Sequence, residues 1–140
     1  MINKENYKYS DLTEKIIGQI FVVYNTLGHG FLEKIYRKAL LKKLREIGLK
    51  AYEEYPIKVS FEGEVVGDYF ADILVEEKVI LELKAAECLN AAFEAQLINY
   101  LKATGFEVGL LVNFGKKLEI KRKVFSADHK KSVQSAAGVS

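Results

Sequence analysis

Cys88 is the only cysteine in the chain, and it has just two histidines. One cysteine closes no internal disulfide, and one thiol with two imidazoles falls short of the four ligands of a structural zinc site. Long apolar runs are missing too. Stretches such as Val108 to Val112 are far below the roughly 20 residues that span a bilayer. The opening Met1-Ile2-Asn3-Lys4-Glu5-Asn6 has no apolar signal core, so a cytoplasmic protein is expected. Charge of one sign is lacking as well: 21 Lys and Arg against 19 Asp and Glu leave a net charge of +2. The global electrostatic footprint of a nucleic-acid binder is therefore absent. One local excess remains, at Lys116, Lys117, Lys121, Arg122 and Lys123, with Lys130 and Lys131 beyond. It reads either as a solvated strand pair and tail or as a phosphate-facing edge.

What is present is the balance of a single globular domain, 49% hydrophobic and 29% charged over 140 residues. No internal repeat or low-complexity block interrupts it. The expected organisation is a flexible N-terminus over 1–9, one domain over 10–125 and a polar tail over 126–140. A first helix is expected from Ser10 or Asp11, with Asp11 and Glu14 spaced as a capping box and an apolar stripe of Leu12, Ile16, Ile20, Tyr24 and Leu27. Gly28-His29-Gly30 suits a tight reversal, with His29 read as a turn residue. A second helix is expected over 31–47, closed by Gly48.

From Lys50 the period changes to two, and Glu62-Gly63-Glu64 reads as a turn. Strands are expected at 65–75 and 78–83, a third helix from the N-cap Asn90 to Thr104 with Gly105 closing it, then strands at 106–113 and 118–125. Ala92, Ala95, Leu101 and Ala103 suggest that this helix packs closely on the sheet. The helix between strands argues for a parallel crossover and the hairpins for antiparallel neighbours. The expected fold class is α/β, a single-domain α/β/α sandwich with a mixed central β-sheet flanked by helices.

Three places carry chemistry. Glu82 and Lys84 lie two apart on one strand and share a face. Asp72, on the preceding strand, joins them only if the Glu76-Glu77-Lys78 loop counts three residues, which pairs Val75 with Val79 and sets Asp72 opposite Glu82. A two-residue loop would send Glu82 to the other face. Two carboxylates that close repel unless a cation intervenes, and oxygen ligands select magnesium, manganese or calcium over zinc. The competing reading is a surface Asp/Glu/Lys cluster, against which stands the run of apolar residues on both parities around Glu82. Glu33 shares a helical stripe with Tyr36, Leu40, Leu44 and Ile47, and reads either as a site carboxylate or as a solvated partner of Lys34 or Arg37. Gln96 and Tyr100 share a helix face one turn apart.

Gly28 and Gly30-Phe31-Leu32-Glu33-Lys34-Ile35-Tyr36 resemble the signature of the GxxExxY proteins. Ala71-Asp72 through Glu82-Leu83-Lys84, Gln96 through Tyr100-Leu101-Lys102-Ala103-Thr104-Gly105, and Gly109 to Gly115 are similar to that family in the same order. The match runs from about Leu12 to Phe125. The family is assigned to the PD-(D/E)XK nuclease-like superfamily, which implies a restriction-endonuclease-like core. The proline of the founding motif is replaced here by Ala71.

The resemblance implies that Asp72, Glu82 and the Leu83 carbonyl hold Mg²⁺ (Mn²⁺ as a substitute). It further implies that Glu33 supports that metal site, that Lys84 positions or activates the attacking water, and that Gln96 and Tyr100 form a Q-x-x-x-Y helix motif. The implied function is Mg²⁺-dependent hydrolysis of phosphodiester bonds in DNA or RNA, with no membrane partner. Small nuclease-fold enzymes sometimes act as a homodimer. The alternative is a catalytically silent module of the same fold that binds nucleic acid or a protein.

Overall fold

The change from helical to alternating periodicity near residue 50 marks the boundary between two helices and a sheet. The structure, a computed structural model, describes residues 8–126. Helices α1 (Ser10–Leu27) and α2 (Glu33–Glu46) precede strands β1 (Ala51–Phe61), β2 (Glu64–Val75) and β3 (Val79–Lys84). Helix α3 (Ala91–Thr104) then crosses over to β4 (Val108–Phe114) and β5 (Leu118–Val124). The strands lie in the order β1-β2-β3-β4-β5. Only β3 and β4 pair in parallel, as the helical crossover requires, and every other neighbour is antiparallel.

Helices cover both faces. Ile16, Ile20 and Val23 of α1 and Tyr36, Leu40 and Leu44 of α2 pack on Ile73, Val75, Leu81, Leu83, Leu110 and Val112. Leu97, Tyr100 and Leu101 of α3 pack on Leu74, Ile80 and Leu111 from the other side. Strand β4 is buried along its whole length, as its continuous apolar sequence requires. The result is an α/β/α sandwich around a mixed sheet. No helix among the described residues is long and apolar enough to cross a membrane.

Several local expectations change. The start of α1 carries no side-chain cap, and the residue before it, Tyr9, is left-handed at φ 57°. Helix α2 begins at Glu33 rather than Phe31. The reversal at Gly28 and Gly30 (φ 68° and 108°) is pinned by the Tyr36 hydroxyl, which donates to the Gly28 carbonyl at 2.6 Å and accepts from the Phe31 N–H at 3.2 Å. That N–H is thereby held outside the helix. Asn90 caps α3 as expected, accepting from the Phe93 N–H, and Gly105 ends it at φ 86°. Ala92, Ala95 and Ala103, however, are exposed. Leu97 seats the helix instead, against Gly109, where a Cβ would lie 2.7 Å from a Leu97 methyl.

The basic strand is largely matched internally. Lys121 and Lys123 meet Glu94 of α3 at 3.1 and 2.5 Å, and Arg122 bonds the Lys8 carbonyl. Lys8 itself pairs with Glu107. The expected loose ends, with Lys130 and Lys131, otherwise lie outside the described residues.

Asn113, wholly buried near the end of β4, ties down the segment after β3. Its side chain accepts from the Ala86 N–H at 2.9 Å and donates to the Ala86 carbonyl and to Glu119. Asn113→Leu keeps the volume and strands these groups. Urea denaturation is expected to show a loss of about 2–4 kcal/mol, from buried groups left without hydrogen bonds.

Candidate active site

Strands β1 and β2 form an antiparallel ladder with one rung missing. Glu53 pairs with Ile73 and Tyr55 with Ala71, but Glu54 and Asp72 do not pair. Glu54 is left-handed at φ 53°, a conformation that turns its peptide out of the ladder. On the other side, β2 and β3 pair as Val75↔Val79, Leu74↔Ile80 and Ile73↔Leu81, and stop there. This is the three-residue-loop register, whose next rung would be Asp72 opposite Glu82.

Side chains take over where that ladder stops. The Asp72 N–H donates to Glu82 Oε1 at 3.1 Å, and the Leu83 N–H donates to Asp72 Oδ2 at 2.7 Å. Each carboxylate thus binds the backbone at or beside the other. The N–H and C=O of an extended residue lie on the same strand edge, so the Leu83 carbonyl is turned toward Asp72 as well. Arg37 of α2 braces the gap: its guanidinium meets Glu53 at 2.8 Å, Glu54 at 3.1 Å and Asp72 at 3.9 Å.

Lys84 continues the Glu82 face. Its ammonium donates to Gln96 Oε1 at 3.2 Å and stands 4.8 Å over the Phe93 ring, so α3 fixes it from above. Gln96 also hydrogen-bonds Tyr100. The chain Lys84–Gln96–Tyr100 therefore links β3 to the helix motif. Glu33 stands in the first turn of α2, exposed, with no hydrogen-bond or ion-pair partner among the described residues. It lies near enough to Asp72 and Lys84 to feel both charges.

Burial sets the electrostatics. Glu82 is only 4% exposed. Desolvation first, then the neighbouring Asp72, push its pKa up to about 8. Desolvation also raises Asp72, opposed by the Leu83 N–H and by Arg37 and Lys84. Burial and mutual repulsion thus push both carboxyls toward the protonated form, Glu82 the more strongly. Glu33 is raised by desolvation and by Asp72. Tyr100 is pushed up to about 12, by desolvation and then by Glu82 and Asp72, so its hydroxyl stays protonated.

Among the described residues no three His, Cys, Asp or Glu side chains form a group that could hold a metal ion. The donors that do converge are the two carboxylates, hard oxygen ligands suited to a divalent cation. Their surplus negative charge, relieved here by a retained proton, is what such a cation would neutralise.

Asp72, Glu82, Lys84, Gln96 and Tyr100 are thus brought together, with Glu33 at the rim. The surface-cluster reading of Asp72 and Glu82 does not hold, since Glu82 is buried. Glu33 does not ion-pair with Lys34 or Arg37. Sequence reasoning did not assign Arg37 to the site. Its signal was position: four residues after Glu33, it shares that helix face. Glu54 gave no signal, because nothing in a Glu-Glu dipeptide announces a left-handed residue.

A family model described as the PD-(D/E)XK nuclease superfamily matches residues 10–123. The chain belongs to that superfamily. Among solved structures, an alkaline exonuclease from Laribacter hongkongensis is similar at 13% identity with a TM-score of 0.44, covering 75% of this chain and 62% of that one. The protein SSO0001 is similar at 16% identity with a TM-score of 0.49, covering 96% of this chain and 68% of that one. This chain spans less than two thirds of the exonuclease. No curated protein matches it.

The raised pKa of Glu82 has a measurable consequence for stability. A carboxyl whose pKa rises on folding favours the folded state at pH values below its unfolded pKa. That contribution is lost as pH climbs from the ordinary 4.5 toward about 8. Glu82→Gln removes the titration and keeps an acceptor for the Asp72 N–H. In EDTA, thermal melts should show Glu82→Gln more stable than the parent, by a larger margin at pH 8 than at pH 5. An equal margin at both would show that Glu82 is not the titrating group.

Proposed function

We propose that the protein is a divalent-metal-dependent nuclease that hydrolyses phosphodiester bonds of DNA or RNA. The observation that carries this reading is the crossed pair Asp72–Glu82, beside Lys84, in a chain of the nuclease superfamily. Mg²⁺, or Mn²⁺ in its place, would be held by Asp72, Glu82 and the Leu83 carbonyl, and supplies Lewis acidity toward the phosphate and a lowered pKa to water.

The protein's own groups do the rest. Glu82, whose pKa is raised, would have to be deprotonated to serve as a full ligand. Lys84, restrained by Gln96, stabilises the attacking hydroxide or the charge building on phosphorus. Glu33, exposed and without a partner among the described residues, is free to accept from a water entering the site. Tyr100 remains a neutral donor across the physiological range. The reading places the protein in the cytoplasm with nucleic acid as its partner, and light scattering tests whether it works as a homodimer.

Purified protein is expected to cut DNA or RNA with Mg²⁺ or Mn²⁺, and Asp72→Ala or Lys84→Ala to abolish cutting, with Glu33→Ala slowing it. Cutting that survives both of the first two changes belongs to a contaminant and sinks the assignment.

A silent, nucleic-acid- or protein-binding module is the second reading. It is favoured by the backbone N–H bonds that Asp72 and Glu82 already accept, which occupy lone pairs a cation would need. Calorimetric titration separates the two. A live site should bind Mg²⁺ near pH 7 with proton release, seen as heat that varies with the buffer's ionisation enthalpy, and Glu82→Ala should remove it. A silent module gives no such heat.

A further inference from the structure

Strand β2 runs 12 residues, yet only Ile73, Leu74 and Val75 pair with β3. The distal part of the β1–β2 hairpin therefore extends past the sheet as a two-stranded arm. Between this arm and α3 lies a groove of about 850 Å³. The helix side of the groove is a stripe at helical spacing, Ala92, Ala95, Gln96, Asn99 and Ala103. These are the alanines that fail to seat α3 on the sheet. Their small side chains leave space above the helix, and the two amides project into it. The arm supplies Ser60, Lys58 and Tyr69 on the opposite wall.

Three features fix what the groove can take. Tyr69 is 48% exposed, with its ring 5.8 Å from that of Tyr100, so one aromatic face is braced while the residue still meets solvent. The groove is continuous with the active site, since Gln96 lines it and also holds Lys84. Its uncharged polar groups are the amides of Gln96 and Asn99 and the hydroxyls of Ser60, Tyr69 and Tyr100, which match the donor and acceptor edges of a nucleobase. Lys58 and Lys102 add positive charge at the walls, although Lys58 is shared with Asp68 at 2.7 Å.

We propose that this groove receives unpaired bases of the strand being cut, stacked on Tyr69 and read at their edges by Gln96 and Asn99, making single-stranded nucleic acid the substrate. The proposal rests on the nuclease reading for the cutting, but not for the binding. In a duplex the base faces are hidden by stacking and only the groove edges stay open, so it is the stack on Tyr69 that requires an unpaired strand. The groove's size also suits one or two nucleotides, within the roughly 300–1,000 Å³ of small-ligand pockets. The net charge of +2 points the same way. Duplex binding without base contacts leans on many Lys and Arg contacts to phosphate, whereas stacking of single strands adds affinity without them.

Fluorescence anisotropy in EDTA, with a short fluorescein-labelled DNA strand alone or annealed to its complement, tests this on the full chain. The single strand should bind more tightly. Tyr69→Ala should weaken it roughly 5- to 100-fold, the loss expected for one base stack, while Tyr69→Phe restores it. Asn99→Ala, an exposed change, should weaken it less and shift preference among homopolymer strands. Single-strand binding unaffected by both Tyr69→Ala and Asn99→Ala, or a duplex bound as tightly, overturns the proposal. Cleavage assays keep the two readings apart. Duplex cutting indifferent to Tyr69→Ala sinks the groove and leaves the nuclease standing. Tyr69-dependent binding without cutting of any substrate sinks the nuclease and leaves the groove.

Discussion

A buried and a half-buried carboxylate, Glu82 and Asp72, sit where two β-ladders break, and each is held by the backbone of the other's strand. Asp72 is without a rung toward β1 because Glu54 is left-handed, and without one toward β3 because the ladder ends at Leu81. Buried N–H groups left unpaired would cost about 1–3 kcal/mol each. Glu82 and Asp72 satisfy the two that the break exposes. The same bonds that repair the sheet hold the acids together, so the site cannot be dismantled without loosening the fold. Arg37 supplies the opposing charge across the gap and joins α2 to both strands.

The other site residues are placed by a scaffold centred on the end of β4. The Tyr36 ring stacks on Phe114 at 4.4 Å, while its hydroxyl pins the reversal that sets where α2, and therefore Glu33, begins. Tyr24 of α1 bonds the carbonyls of Gly115 and Lys116 at 2.7 and 2.8 Å. Asn113, one residue before Phe114, clamps Ala86 just beyond Lys84. Gly115 permits this closeness, since a Cβ there would lie 2.5 Å from the Ala86 carbonyl oxygen. One strand end thus fixes the position of Glu33 from one side and of Lys84 from the other.

How much of this could be read in the sequence depends on the range of the interaction. The eight elements and the mixed sheet follow from local periodicity and glycine punctuation, whereas the hairpin register is open in the sequence between a two- and a three-residue loop and is settled by the Val75↔Val79 pairing. Asp72, Glu82 and Lys84 were legible because strand parity is local. The burial of Glu82 was only hinted at by its apolar neighbours. Glu54 was not legible, since a left-handed residue without glycine is a product of tertiary packing, and Arg37 showed only its place on the Glu33 face, not the clamp it forms across elements. The alanines of α3 show the reverse case. Their spacing was plain, but a stripe of small residues suits close packing and an open groove equally, and only the position of the hairpin arm decides between them.

Charge placement constrains what kind of binding the molecule can do. Lys121 and Lys123 are matched by Glu94, Arg37 by Glu53 and Glu54, and Lys58 by Asp68. These pairs neutralise part of the basic surface, while Lys116 and Lys117 stay exposed outside any ion pair among the described residues. Exposed pairs of this kind are worth little to stability. Their effect is mainly to cancel the field that would draw any nucleic acid to the surface. On the proposed reading, a domain so neutralised would take its substrate through short-range contacts: the surplus negative charge at Asp72 and Glu82, which a cation would neutralise, and the aromatic and amide wall that continues from Gln96.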